Sequence, residues 1–197
     1  MAALGLVVLA AQLGLQSSVV PASDAGFFEQ LGAAAIEQTR HAARYDGSYR
    51  RMAYPGGDVP SDVGVCTDLV IRAYRSVGID LPQLVHEDMR SAFSAYPKQW
   101  GLPRPDPNID HRRVPNLKVF LKRRGATLAL SNQATSYRAG DLVTWMLPGN
   151  LPHIGLVTAQ QAPSGRPLIV HNIGRGPELE DTLFAFTVTG HYRYRGN

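Results

Sequence analysis

Cysteine is nearly missing from this sequence of 197 residues: the one thiol belongs to Cys66. A single cysteine excludes an intramolecular disulfide framework and any zinc site built on several thiolates. Long apolar runs are missing too. Residues 4–15 (LGLVVLAAQLGL) stop well short of the roughly 20 residues a bilayer-spanning helix needs. Charge is absent from residues 1–23, including the Lys or Arg that ordinarily precedes the hydrophobic part of a signal peptide. No His-Glu-x-x-His occurs, and the acidic cluster His86-Glu87-Asp88 is consecutive rather than on one helical face, so no metal site is expected. Pro55-Gly56-Gly57 and Gly174-Arg175-Gly176 lack the Gly-Lys-Ser/Thr ending of a phosphate loop and read as turns. Ser164-Gly165 lacks the strand–elbow–helix setting of a serine nucleophile. There is no internal repeat or low-complexity segment, and nothing calls for a cofactor.

What is present describes an ordinary folded domain. Hydrophobic residues make up 44% and charged residues 18%, which excludes wholesale disorder, and the length suits one domain rather than two. Residues 1–23 read as a secretory signal, with small residues at Val20-Pro21-Ala22 or Ser23-Asp24-Ala25 for cleavage. An uncleaved anchor or an apolar helix packed on the domain would fit the same residues, and this segment would be the only membrane contact. The formal charge of +4 comes from Lys+Arg 20 against Asp+Glu 16. Its excess is local: Lys98, Arg104, Arg112, Arg113, Lys118, Lys122, Arg123 and Arg124 face only Asp106 and Asp110. With few aromatics and no binding motif there, a solvated helix face is expected and nucleic-acid binding is not, although an anionic wall glycan could use the stretch.

Hydrophobic periodicity predicts a helix over residues 27–44, with Phe28, Leu31, Ala35 and Ile36 on one stripe. Residues 45–60 read as a loop around one short strand. Helices follow over 65–77, 84–93 and 114–124, and the prolines of 100–107 form an extended surface strap. Strands are predicted over 141–147, 153–158, 167–173 and 183–193. Helices first and a mostly antiparallel sheet second define an α+β fold, one domain over 27–197 with a Pro-rich insert at about 81–113.

Cys66 falls at a helix start, where unpaired N–H groups and the helix dipole favour a thiolate. It also lies on the apolar stripe with Leu69, Val70, Ala73 and Val77, which equally fits an inert buried thiol. A nucleophilic cysteine needs a base, usually histidine, oriented by a third polar group. His153 opens one strand and His171 lies near the end of the next. If the loop 160–166 closes symmetrically near residue 163, antiparallel pairing sets His153 opposite residues 171–173. Alternation lets His171 or Asn172 face His153 but not both, and His171 is preferred.

Four segments, in order, resemble the NlpC-type cell-wall peptidases, a papain-like group. They are Gly64-Val65-Cys66-Thr67-Asp68-Leu69-Val70, Arg138-Ala139-Gly140-Asp141-Leu142-Val143, His153-Ile154-Gly155-Leu156-Val157 and Ile169-Val170-His171. The region 45–194 more closely resembles the YijF-like family of bacterial proteins. It does so through Tyr45-Asp46-Gly47, the Cys66 segment, Asp106-Pro107-Asn108-Ile109-Asp110-His111-Arg112 and Gly190-His191-Tyr192-Arg193-Tyr194. The resemblance implies a papain-like fold with Cys66 as nucleophile, His153 as base and His171 as the orienting residue. It makes Tyr54, before Pro55-Gly56-Gly57, the candidate for the oxyanion site. Val65 and Thr67-Asp68 depart from the group's Asp-Cys-Ser-Gly, and residues 81–113 have no counterpart in it.

The expectation is a periplasmic or secreted cysteine peptidase or amidase acting on an amide bond, with peptidoglycan peptides as substrate. The alternatives are acyl transfer or ester cleavage by the same triad, and a non-catalytic envelope-binding module with Cys66 buried.

Overall fold

The computed structural model describes residues 24–196. The proposed signal segment, residues 1–23, lies outside them. Among the described residues no helix is long and apolar enough to cross a membrane.

Helix α1 (Asp24–Gln38) seats Phe27, Leu31 and Ala35 in the core, so its buried stripe is turned slightly from the expected Phe28–Ile36 line. It also ends earlier than residue 44. Thr39 Oγ1 donates to the Ile36 carbonyl at 2.7 Å, and the chain turns into strand β1 (Arg44–Tyr45). That pair of residues lies parallel to β2 (Val63–Gly64), immediately before helix α2 (Cys66–Ser76). Helix α3 (Leu81–Ala92) starts three residues earlier than residue 84, because Pro82 occupies the first turn, where a missing N–H costs no hydrogen bond. Helix α4 (Val114–Arg123) completes the helical layer.

The second half forms one antiparallel sheet from β3 (Leu142–Leu147), β4 (Leu151–Gln161), β5 (Pro167–His171), β6 (Glu178–Glu180) and β7 (Thr187–Tyr192), in the order β6-β5-β4-β3-β7. Both faces are covered. Leu142, Ile154, Leu156, Val170 and Tyr192 pack under Leu69, Val70, Tyr74, Val85, Met89 and Phe120 from the helices. On the opposite pleat Val143, Trp145, Val157 and Ile169 meet Tyr137 and Leu183 in a second, smaller core. The α+β class expected from the element order is the architecture observed, with the helices packed on a mostly antiparallel sheet.

The insert at 81–113 contributes to the core on either side of the proline strap. Leu81, Val85 and Met89 of α3 are core residues, and a short 3-10 turn at Asp110–Arg112 is buried. Much of the basic run is consumed by ion pairs. Arg123, the last residue of α4, and Arg124, just beyond it, reach the Asp88 carboxylate of α3 at 2.7 and 3.6 Å, and Tyr96 donates to the same carboxylate at 2.6 Å. The Gly140-Asp141 turn is equally committed. Asp141 is fully buried and binds His191 Nε2 at 2.8 Å and Arg193 Nε at 2.7 Å, which ties β3 to β7. Gly140 has φ 81°, and a Cβ there would fall 2.6 Å from the Phe28 side chain, so only glycine fits.

Candidate active site

Cys66 opens α2, and the local sequence explains how the helix start is held. Asp68 Oδ2 accepts the Val65 N–H at 2.8 Å, satisfying a donor just outside the first turn. The same carboxylate receives a fork from Arg112, with Nε at 3.0 Å from Oδ1 and Nη2 at 2.9 Å from Oδ2. Both side chains are almost wholly buried, at 1% and 2% exposure. Arg112 also donates from Nη1 to the Ser48 carbonyl and from Nη2 to the Asp46 carbonyl, at 2.8 and 2.7 Å. One guanidinium therefore clamps the segment Asp46–Ser48 onto the helix that carries Cys66.

The Cys66 thiol is buried, and burial pushes its pKa up to about 12. Hydrogen bonds from the backbone N–H groups of Ile154, Thr67 and Cys66 itself act in the other direction, while Asp68 adds to the rise. The helix-start donors expected from the sequence are thus present, but loss of water outweighs them. Of the two readings the sequence leaves open, burial favours the thiol over the thiolate.

His153 and His171 are brought together. Their rings stand edge to face at 5.2 Å, with His153 Nε2 3.1 Å from His171 Nδ1. The strands pair Gly155 with His171, so the two imidazoles meet diagonally across β4 and β5. Gly155 makes room for this. A Cβ there would lie 2.8 Å from the Val170 carbonyl oxygen and 3.0 Å from His171 Cβ. Asn172, the alternative third residue, is occupied elsewhere, its Oδ1 accepting the Gly174 N–H at 3.0 Å.

Both histidines are neutral. Burial lowers His153 to about 3, with His171 adding to the effect. Burial also lowers His171, opposed by Glu180, to which its Nε2 is bonded at 2.9 Å. Glu180 was not singled out in the sequence. It lies on a three-residue edge strand, and no periodicity marks a segment so short. The Trp145 ring lies against His153 at 5.9 Å, in register with it across β3 and β4.

Cys66 and the imidazole pair lie on opposite sides of β4, and among the described residues no contact joins the sulfur to either ring. Ile154, whose N–H reaches the sulfur, faces the helices, and His153 is the adjacent residue on the Trp145 side of the pleat. Tyr54 is not part of this arrangement. Its ring packs on His86 at 5.0 Å, and its charged neighbours are Glu87, Arg90 and Asp80. Tyr45 lies nearer to Cys66 than Tyr54 does in the electrostatics of the two phenols. Pairing with Gly64 carries Tyr45 towards the start of α2, and its phenol is raised to about 12 by desolvation, then by Cys66 and Asp68, against Arg112. No group of three His, Cys, Asp or Glu able to hold a metal ion occurs among the described residues.

Residues 32–194 match the family described as domain of unknown function (DUF1287), and the chain belongs to that family. A curated relative, the Escherichia coli (strain K12) protein named "Uncharacterized protein YijF", is 53% identical over 150 residues, 76% of this chain and 73% of that protein. Two solved structures, NlpC1 and NlpC2 from Trichomonas vaginalis, are similar at 15% and 14% identity, each with a TM-score of 0.46. They cover 90% and 91% of this chain, which spans 46% and 50% of theirs, about half their length.

Proposed function

We propose that this chain is a papain-like cysteine hydrolase that cleaves an amide bond in peptidoglycan peptides, in the bacterial periplasm or outside the cell. The observation that carries the reading is the buried chain of hydrogen bonds His153–His171–Glu180, which begins one residue along the strand from Ile154, a neighbour of Cys66 in the core. Two neutral imidazoles in series are a costly way to fill a core and a suitable way to move a proton.

Because the thiol and His153 both rest neutral, the nucleophile is made during attack. His153 Nε2 is engaged by His171, so in this reading Nδ1 takes the thiol proton, and the ring has to leave the Trp145 face to reach the sulfur. As the proton moves to His153, the sulfur bonds to the substrate carbonyl carbon. The N–H groups of Cys66 and Thr67 at the open end of α2 stabilise the tetrahedral oxyanion, with the Tyr45 phenol beside them. The C–N bond then breaks and the leaving amine takes the proton from His153. Water, deprotonated by the same imidazole, attacks the thioester, the C–S bond breaks, and a carboxylic acid and the free thiol are released.

A second reading is favoured by one observation. A thiol raised to about 12 by burial is what a non-catalytic envelope-binding module on the same fold would carry. Digestion of purified peptidoglycan by wild type and by Cys66→Ala, with products read by mass spectrometry, separates the two. New peptide products with wild type alone support the hydrolase, and a new acyl–amine bond in them identifies acyl transfer instead. Equal products from both proteins remove Cys66 as nucleophile. No products from wild type favour the binding module.

A further inference from the structure

We propose that Glu180 is a positioning residue that holds both imidazoles in a single tautomer and so leaves Nδ1 of His153 without a proton. The functional consequence rests on the hydrolase reading; the tautomers themselves do not.

The hydrogen bonds run inward from Glu180 to His153. Glu180 Oε2 lies 2.9 Å from His171 Nε2, and a carboxylate can only accept, so the His171 proton is on Nε2. A neutral imidazole with a proton on Nε2 has its lone pair on Nδ1. That Nδ1 is 3.1 Å from His153 Nε2, so His153 donates its own Nε2–H and keeps Nδ1 unprotonated. One carboxylate thereby determines the state of two rings. Without it, His171 could place its proton on Nδ1 and present a donor to His153, which would then keep its proton on Nδ1.

The fold holds Glu180 for this purpose from an edge strand. β6 pairs with β5 so that Glu178 is opposite His171 and Glu180 opposite Ile169. Alternation places both glutamates on the His171 pleat, while Leu179 packs against the helical core. Glu180 Oε1 also faces Arg175 Nη2, at 3.5 Å, but that arginine is 77% exposed and bonds Glu178 Oε2 at 3.2 Å. The shorter and more buried contact of Glu180 is the one to His171.

Long-range proton–nitrogen NMR of the histidine rings at neutral pH tests this on the full protein without a substrate. In wild type, both His153 and His171 are expected as the Nε2–H tautomer. In Glu180→Ala, His171 loses its single tautomer and the His153 ring signals change with it. In Glu180→Gln, whose amide oxygen can accept the same bond, the pattern moves back towards wild type. A proton on His171 Nδ1 in wild type overturns the proposal, and so do unchanged rings in Glu180→Ala. The wild-type spectrum decides even if the alanine variant fails to fold. Where wild type cleaves wall peptides, Glu180→Ala lowers kcat by about tenfold or more with KM nearly unchanged. Absence of cleavage by wild type counts against the hydrolase reading and leaves the tautomer result standing.

Discussion

A single guanidinium shows how closely residue identity and site geometry are tied. Arg112 is buried with Asp68, and its remaining donors are taken by the carbonyls of Asp46 and Ser48. Substituting alanine leaves a buried carboxylate with only the Val65 N–H and frees the Asp46–Ser48 segment. Removal of one partner of a buried pair costs about 3–5 kcal/mol, so Arg112→Ala should lower the denaturation midpoint by a corresponding amount. Arg112→Lys should recover only part of it, because an ammonium cannot reproduce the fork. Urea unfolding measures both, and a loss well below 1 kcal/mol for the alanine variant would contradict the clamp. Cys66 makes the complementary point. Its position suits a thiolate, but its burial decides that it rests protonated.

At the scale of elements, the pieces that build the site were largely legible. The apolar stripe ending in Gly78 marks α2 with Cys66 at its head. The Gly- and Pro-bearing stretch at 160–166 closes the β4–β5 hairpin so that His153 and His171 meet. Long elements with regular burial announce themselves. What escaped was carried by elements too short for a pattern or by pairs too far apart for one. Motif spacing favoured Tyr54, whereas the two-residue parallel pairing of β1 with β2 delivers Tyr45. β6 has three residues, and the role of Glu180 depends on a neighbour nine positions away. Arg112 looked like part of a solvated basic run, and its partner Asp68 is separated by 44 positions. Ion pairs of that separation leave no periodic trace.

For the molecule as a whole, buried neutral histidines set the response to acid. His153 and His111 are lowered to about 3 and about 4, each chiefly by burial, and His171 is lowered for the same reason. Their unfolded values lie near 6.5, so between that value and the folded ones the unfolded chain binds more protons. Stability from these groups is complete above about pH 6.5 and is lost progressively as pH falls through the folded values. The melting temperature should therefore fall steadily from pH 7 to pH 4. For His111 alone the linked loss is on the order of 3 kcal/mol across its window. Replacement of His111 by Gln should shallow that slope in a thermal melt series, and an unchanged slope would contradict the assignment.

Function too is a property of the whole arrangement, because helix start, strand histidines and edge carboxylate come from separate parts of the chain. Its central claim is that Cys66 becomes acylated. The most direct measurement is mass spectrometry of protein quenched in acid during turnover of soluble wall peptides. An acyl group is expected on Cys66, released by neutral hydroxylamine and absent from Cys66→Ala, which makes no products. Turnover with Cys66 unmodified, at a rate the alanine variant retains, would contradict it.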